Sequence, residues 1–298
     1  MVTRPGCRRY PLLMCLSDSQ AHAQNTALRG WTVWVPRAKE QAGAMSTLLS
    51  TYGAHVQSLP TIAIEPVTGA QRAAIHDALA EVIAGKYEWV VFSSANAVRT
   101  LHTAVNTLPT SDAEHANTAL LRLNVAVVGA KTAAVAREYG YEPTVIALRQ
   151  AYNAEGVVAA LGVAADGGSR VFLPRADIAT PQLREGLREL GWQVTDLVVY
   201  HTVLAPEPSD EVRALFHHVQ PAAICFTSAS TVRNMLALMG DIPQQAIIAC
   251  IGPKTQQAAQ EAGLVVSVVP EVASAEHLVE ALVHYVAQRD YCADEGGE

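Results

Sequence analysis

Short, unbroken apolar runs alternate along the chain with stretches in which apolar residues recur three or four positions apart. The runs at 33–35, 89–92, 125–128, 171–173, 223–226 and 248–251 are rich in β-branched residues. They lack the every-other-residue alternation of a half-exposed sheet, as expected of strands covered on both faces. Between the runs, Leu48, Leu49 and Tyr52 share one helical face, and so do Leu183, Leu187 and Leu190. Gly53 and Gly191 then stand where a left-handed residue ends a helix. Strand followed by helix, over and over, predicts parallel, doubly wound α/β sheets.

The pattern is duplicated. Val33-Trp-Val-Pro-Arg-Ala38 matches Val171-Phe-Leu-Pro-Arg-Ala176 at an offset of 138, and Tyr52-Gly53-Ala-His-Val56 matches Leu190-Gly191-Trp-Gln-Val194 at the same offset. Trp89-Val-Val-Phe-Ser-Ser94 matches Ala223-Ile-Cys-Phe-Thr-Ser228 at 134, and Val125-Ala-Val-Val-Gly129-Ala-Lys-Thr132 matches Ile248-Ala-Cys-Ile-Gly252-Pro-Lys-Thr255 at 123. Each half is expected to hold four strands alternating with helices. Right-handed crossovers would gather the strand-to-helix loops at one sheet edge.

Length and composition fit two such bodies. The 298 residues suit two domains, and an apolar half with only 16% charged residues supplies two cores and argues against disorder. The net charge of −7 with 21 Lys+Arg excludes the broad basic face of a nucleic-acid binder. Any anionic ligand is then held by local groups. Five cysteines without CxxC, or a His at ligand spacing, point to a reduced, cytoplasmic setting without structural metal. Cys225 and Cys250 read as buried small hydrophobes. No apolar run reaches a membrane span. Residues 1–29, with Arg4, Arg8 and Arg9 before a short apolar stretch broken by Pro11, make a weak export signal and are expected to be a disordered extension.

The repeated loops carry the candidate chemistry. Ser93, Ser94, Thr227 and Ser228 end strands, where a hydroxyl by default caps the next helix. A helix N-terminus also suits a carboxylate or phosphate. Lys131, Thr132, Lys254 and Thr255 offer an ammonium and a hydroxyl in each copy. Their Gly-x-Lys-Thr frames lack the spacing of a phosphate loop. Arg37 and Arg175 follow strands in matching places, suited either to a bidentate grip on a carboxylate or to a surface ion pair. Arg99 and Arg233 read as structural or solvated. Neither a G-x-S-x-G elbow nor HExxH occurs, His217, His218 and His284 read as surface residues, and Asp166, Asp177 and Asp210 show no spacing that suggests acid–base work. Tyr200 breaks the symmetry. It ends a strand begun at Val194, just before a Pro-rich linker, where the first copy has Ile62.

Taken in order, the Pro36-Arg37 loop, the Pro60-to-Pro66 linker, Phe92-Ser-Ser94, Val127-Val-Gly-Ala-Lys-Thr132, Leu173-Pro-Arg175, Val199-Tyr-His-Thr-Val203, Phe226-Thr-Ser228 and Ile251-Gly-Pro-Lys-Thr255 resemble the uroporphyrinogen-III synthase family. The resemblance spans about residues 30–286. It implies two similar α/β lobes joined by a two-strand linker: 30–63 plus 204–288 as one, 66–200 inserted as the other, and 289–298 an acidic tail. It implies a cofactor-free lyase that closes hydroxymethylbilane with inversion of ring D and loss of water. Tyr200 would help the hydroxyl leave, and the Ser, Thr, Lys and Arg residues of the loops would bind carboxylates. The enzyme would be a monomer that receives substrate transiently from the bilane-forming enzyme, with no nucleic-acid or membrane partner. Two rival readings share the two-lobed plan: a non-catalytic small-molecule binding protein, which needs a credible export signal, and a nucleotide- or sugar-phosphate enzyme, which lacks its phosphate loop.

Overall fold

The computed structural model describes residues 26–147, 154–165, 169–220 and 222–295. They fall into two compact units, one running up to Ile62 and resuming at Leu204, the other Ala63–Val203.

The first unit contains β1 (Thr32–Val35), α1 (Lys39–Thr51) and β2 (His55–Ser58) from the first half of the chain. Its remaining strands, β9 (Ala222–Phe226), β10 (Ile247–Cys250) and β11 (Val266–Val268), come from the second half. They form a parallel sheet in the order β11-β10-β9-β1-β2. Successive residues of one strand enter opposite cores. Val33, Val35, Ala223 and Cys225 pack with Leu49, Leu278 and Leu282. Trp34, Ile224 and Phe226 pack with Phe216, Met235 and Leu238. That two-sided burial is why the strands read as unbroken apolar runs. Phe216 lies on α8 (Asp210–His218), Met235 and Leu238 on α9 (Ala229–Met239), and Leu278 and Leu282 on α11 (Ala275–Glu295). Helix α10 (Pro253–Glu261) joins β10 to β11.

The second unit is a six-stranded sheet, β3-β8-β7-β4-β5-β6. Its strands are β3 (Ile62–Pro66), β4 (Trp89–Phe92), β5 (Asn124–Val127), β6 (Pro143–Ile146), β7 (Arg170–Ala176) and β8 (Gln193–Leu204). Around it lie α2 (Gly69–Ile83), α3 (Ala95–Val105), α4 (Thr110–Leu120), α5 (Ala130–Glu138), α6 (Ala154–Leu161) and α7 (Gln182–Glu189). Phe92, Val127 and Phe172 face the core built on α2 to α5. Val91, Val171 and Leu173 face Val157, Leu183 and Leu187 on the other side. Helix α4 has no counterpart in the second half. Its eleven residues account for the fall in the repeat offset from 134 to 123. The segments leading from one unit to the other run side by side, since β3 neighbours β8 and Ala205 N–H donates to the Thr61 carbonyl.

Four expectations change. The supposed extension 1–29 is ordered at its end: Leu28 is fully buried, and its N–H donates to the Tyr52 carbonyl at 2.9 Å. Gly53 (φ +87°) makes this possible, because a Cβ there would lie 3.3 Å from Arg29 Cα. Residues 1–25 lie outside the described residues. The supposed acidic tail is helical through Glu295, as α11 meets no Gly or Pro before Gly296. Strand β8 does not end at Tyr200, where its pairing with β7 stops, but continues to Leu204 with β3 as its neighbour. Arg175 lies within β7, paired with Val198, and not in a loop.

At the sheet edge where β7 and β8 begin, a polar network binds the second unit. Glu81 Oε2 accepts from Arg170 at 2.7 Å and from the Tyr87 hydroxyl at 2.8 Å, while the Arg170 guanidinium lies 4.5 Å over the Tyr87 ring. Hydrogen bonds from Arg170, Tyr87 and Lys86 hold the Glu81 carboxyl down at about 2. A depressed carboxyl adds stability above its ordinary range and loses it as pH falls toward the folded value. We therefore expect Arg170→Met to lower Tm at pH 6, and the gap to parent to close as the pH is taken from about 4.5 down toward 2. Leu28→Ala should cost about 3 kcal/mol in urea unfolding.

Candidate active site

The sequence-selected residues gather at the strand ends of each unit. In the second unit they meet at a cavity of about 290 Å³ lined by Ser93, Ser94, Arg175, Leu183, Arg184 and Tyr200. Ser94 is the N-cap of α3, its Oγ accepting from Ala97 N–H at 3.1 Å. The same oxygen lies 2.9 Å from the Tyr200 hydroxyl. The side chain that caps the helix thus also lines the cavity and meets Tyr200.

Tyr200 is 4% exposed and packs in the core beside Phe92 and Phe172. Burial foremost, and the charge of Asp177 after it, push its phenol up, while hydrogen bonds from Ser94 and Asn96 pull it down. The net rise keeps the phenol protonated at neutral pH, a proton donor held at the cavity wall. A register shift brings it there. Arg175 pairs with Val198, yet Ala176 pairs with Tyr200, so Val199 is an extra residue on β8. On a regular strand Val199 and Tyr200 would face opposite sides. Here both belong to one core.

Arg175 is already committed. Its Nε and one terminal nitrogen grip both oxygens of Asp196, the second at 3.1 Å. Arg184 reaches the same carboxylate at 3.3 Å. Asp196 is 8% exposed, and the two guanidiniums that hold it both line the cavity. Arg175 therefore shapes the cavity while its fork is filled from within the chain. Sequence reading missed Asp196 and Arg184. Asp196 had a signal, as a lone charge in the apolar run 194–200. Arg184 had none that set it apart from Arg188 on the same helix.

Lys131 and Thr132 stand apart from this cavity. Lys131 is exposed, and Thr132 is buried in the first turn of α5. In the first unit, a smaller cavity of about 90 Å³ is lined by Pro36, Arg37, Thr61, Ser228, Ser230 and Asn234. Half-burial pulls the Arg37 guanidinium down from its ordinary value. Ser228 caps α9 through a reciprocal pair with Thr231. The Thr227 hydroxyl is buried without a hydrogen-bond partner among the described residues. Lys254 is exposed and Thr255 buried in the first turn of α10, neither at this cavity. Among the described residues, no three His, Cys, Asp or Glu side chains are placed to hold a metal ion.

Known proteins resemble this chain in sequence and fold. The family profile described as Uroporphyrinogen-III synthase HemD matches residues 43–280. The chain belongs to the uroporphyrinogen-III synthase family. Among its relatives in the family is the Porphyrin biosynthesis protein HemD of Ruminiclostridium josui, 28% identical over 256 residues, covering 84% of this chain and 47% of that one. The chain thus spans about half the length of that relative. The uroporphyrinogen-III synthase of Synechococcus elongatus is 27% identical over 243 residues, 78% of this chain and 87% of that one. The crystal structure of uroporphyrinogen-III synthetase from Helicobacter pylori shares the fold with a TM-score of 0.55 at 16% identity, over 85% of this chain and 98% of that one. The two-lobed, parallel α/β plan is that of the family.

Removing Asp196 would leave two guanidiniums facing each other in a half-buried site. Breaking a buried pair from one side costs about 3 kcal/mol. Asp196→Ala should lower stability by about that much in urea unfolding followed by Trp fluorescence, and Arg184→Met by clearly less, since Arg175 keeps its partner.

Proposed function

We propose that the chain closes hydroxymethylbilane, a linear tetrapyrrole with eight carboxylates, into uroporphyrinogen III. The terminal hydroxyl leaves as water, and ring D is inverted as the macrocycle forms. The observation that carries the reading is the buried Tyr200 hydroxyl, 2.9 Å from Ser94 Oγ at the wall of a cavity.

The hydroxymethyl pyrrole ionises readily once its hydroxide is protonated. Tyr200 supplies that proton as general acid. Its phenol is held protonated by burial, and the hydroxyl of Ser94 is placed to donate to the phenolate that remains. Ring D attacks the cation left on the substrate through its substituted carbon. The bond from that carbon to the ring C methylene then breaks and re-forms at the free α-carbon of ring D, and the proton lost there returns to the Tyr200 phenolate. The choice of the substituted carbon over the free one is a matter of placement, which a rigid wall of strand ends enforces. Carboxylates of the substrate are assigned to the loop hydroxyls and cations: Ser93, Ser94, Lys131 and Thr132 in one unit, Arg37, Thr227, Ser228, Lys254 and Thr255 in the other. Arg175, with its fork on Asp196, contributes positive charge from the cavity floor rather than a free bidentate grip.

The same reading has the chain act in the cytoplasm as a monomer, without cofactor, on substrate passed from the bilane-forming enzyme. Free, buried Cys225 and Cys250 suit a reducing compartment. Tyr200→Phe should slow formation of the inverted isomer roughly a hundredfold, with the melting temperature close to that of the parent. An unchanged rate removes Tyr200 from the chemistry.

A further inference from the structure

Three successive residues of β8 are tied to a single residue, Asp177. Asp177, the residue after β7, donates its N–H to the Tyr200 carbonyl at 3.1 Å. Its Oδ1 accepts from Thr202 N–H at 3.0 Å and from Ile178 N–H at 2.9 Å. Its Oδ2 lies 3.1 Å from His201 Nδ1, and His201 Nε2 lies 3.3 Å from the Gln71 side chain on α2. Residues 200, 201 and 202 are all held from one point, directly after the extra residue Val199 has broken the register.

A bulge disrupts the ladder locally, bends the strand and re-aims the side chains that follow it. Here the bulged residue immediately precedes the tyrosine whose hydroxyl must meet Ser94. Pairing between β7 and β8 ends at Ala176 and Tyr200, so beyond that point the ladder on this side no longer holds the strand, and β3 borders its other side. Asp177 replaces the missing ladder bonds with its own backbone and carboxylate. The Thr202 N–H, foremost among its donors, holds the Asp177 carboxyl below the usual carboxylate range, as expected of an acceptor engaged in its charged form.

We propose that Asp177 is a positioning residue that locks the bulged strand so that the Tyr200 hydroxyl stays on Ser94. It does not itself line the cavity and, on the reading above, does not touch the substrate; it acts through its neighbours Tyr200 and Ile178, which do line it. This inference rests on that reading for its effect on turnover, but not for its effect on the placement of Tyr200.

The test uses the full chain with 3-fluorotyrosine in place of Tyr200 for ¹⁹F NMR, alongside steady-state kinetics with hydroxymethylbilane. Asp177→Ala should broaden or split the single fluorine resonance and lower kcat about tenfold, with KM within about twofold. Asp177→Asn keeps the acceptor for Thr202 N–H and should restore both the sharp resonance and kcat to within about threefold of parent. Asp177→Ala combined with Tyr200→Phe should be no slower than Tyr200→Phe alone, since Asp177 acts through that hydroxyl. A parent-like resonance with parent-like kcat in Asp177→Ala overturns the proposal. So does a double variant slowed by the product of the two single effects. If Tyr200→Phe itself keeps the parent rate while the resonance still broadens in Asp177→Ala, the lock stands and the acid role of Tyr200 falls. Should Asp177→Ala fail to fold, Asp177→Ser, whose single shorter acceptor replaces the carboxylate, should still broaden the resonance and lower kcat by more than about threefold, and parent-like values of both overturn the proposal.

Discussion

The pairing of β8 with β7 is the constraint on which the second unit depends. For six residues the register is regular, and it brings Arg175 and Asp196 together beneath the cavity. Then it slips by one, and Val199 and Tyr200 enter the same core. The ion pair and the slip are two consequences of one strand alignment. Shift β8 by a residue without the bulge, and Tyr200 turns to the other face of the sheet, away from Ser94. The strand is also the route back to the first unit, which is why it is twelve residues long and bordered on both sides.

The duplicated plan supplies matching strand ends, and chemistry enters where the copies differ. Ser94 and Ser228 occupy the same place and cap equivalent helices. Ser94 meets a buried phenol, whereas Ser228 meets Ser230 and Thr231. Arg37 and Arg175 likewise correspond. Arg175 is saturated by Asp196, and Arg37 has no ion-pair partner among the described residues. Equivalent backbones thus carry one loop set beside a buried phenol and another beside a half-buried cation.

Much of the fold was legible in the sequence because two-sided burial leaves so plain a mark: the runs 33–35, 223–226 and 248–251 are apolar at every position for a reason the sheets make visible. Helix ends were legible at Gly53 and Gly191, where the left-handed turn excludes other residues. The misses have physical causes. Leu28 is a single apolar plug with no periodicity around it, and no pattern marks such a residue. Helix α4 left its trace only as a change of repeat offset. The ordinary N-cap role of Ser94 was readable, but its contact with Tyr200 links residues 106 apart. Asp177 looked idle because its partners are the backbone of another strand, and a backbone has no sequence signature.

The central claim is that this chain directs a reactive bilane toward the inverted macrocycle. The direct measurement is to incubate the purified chain with freshly made hydroxymethylbilane, oxidise the products and resolve the porphyrin isomers. The account predicts isomer III in clear excess over the no-enzyme control. Isomer I alone, the product of spontaneous closure, would contradict it.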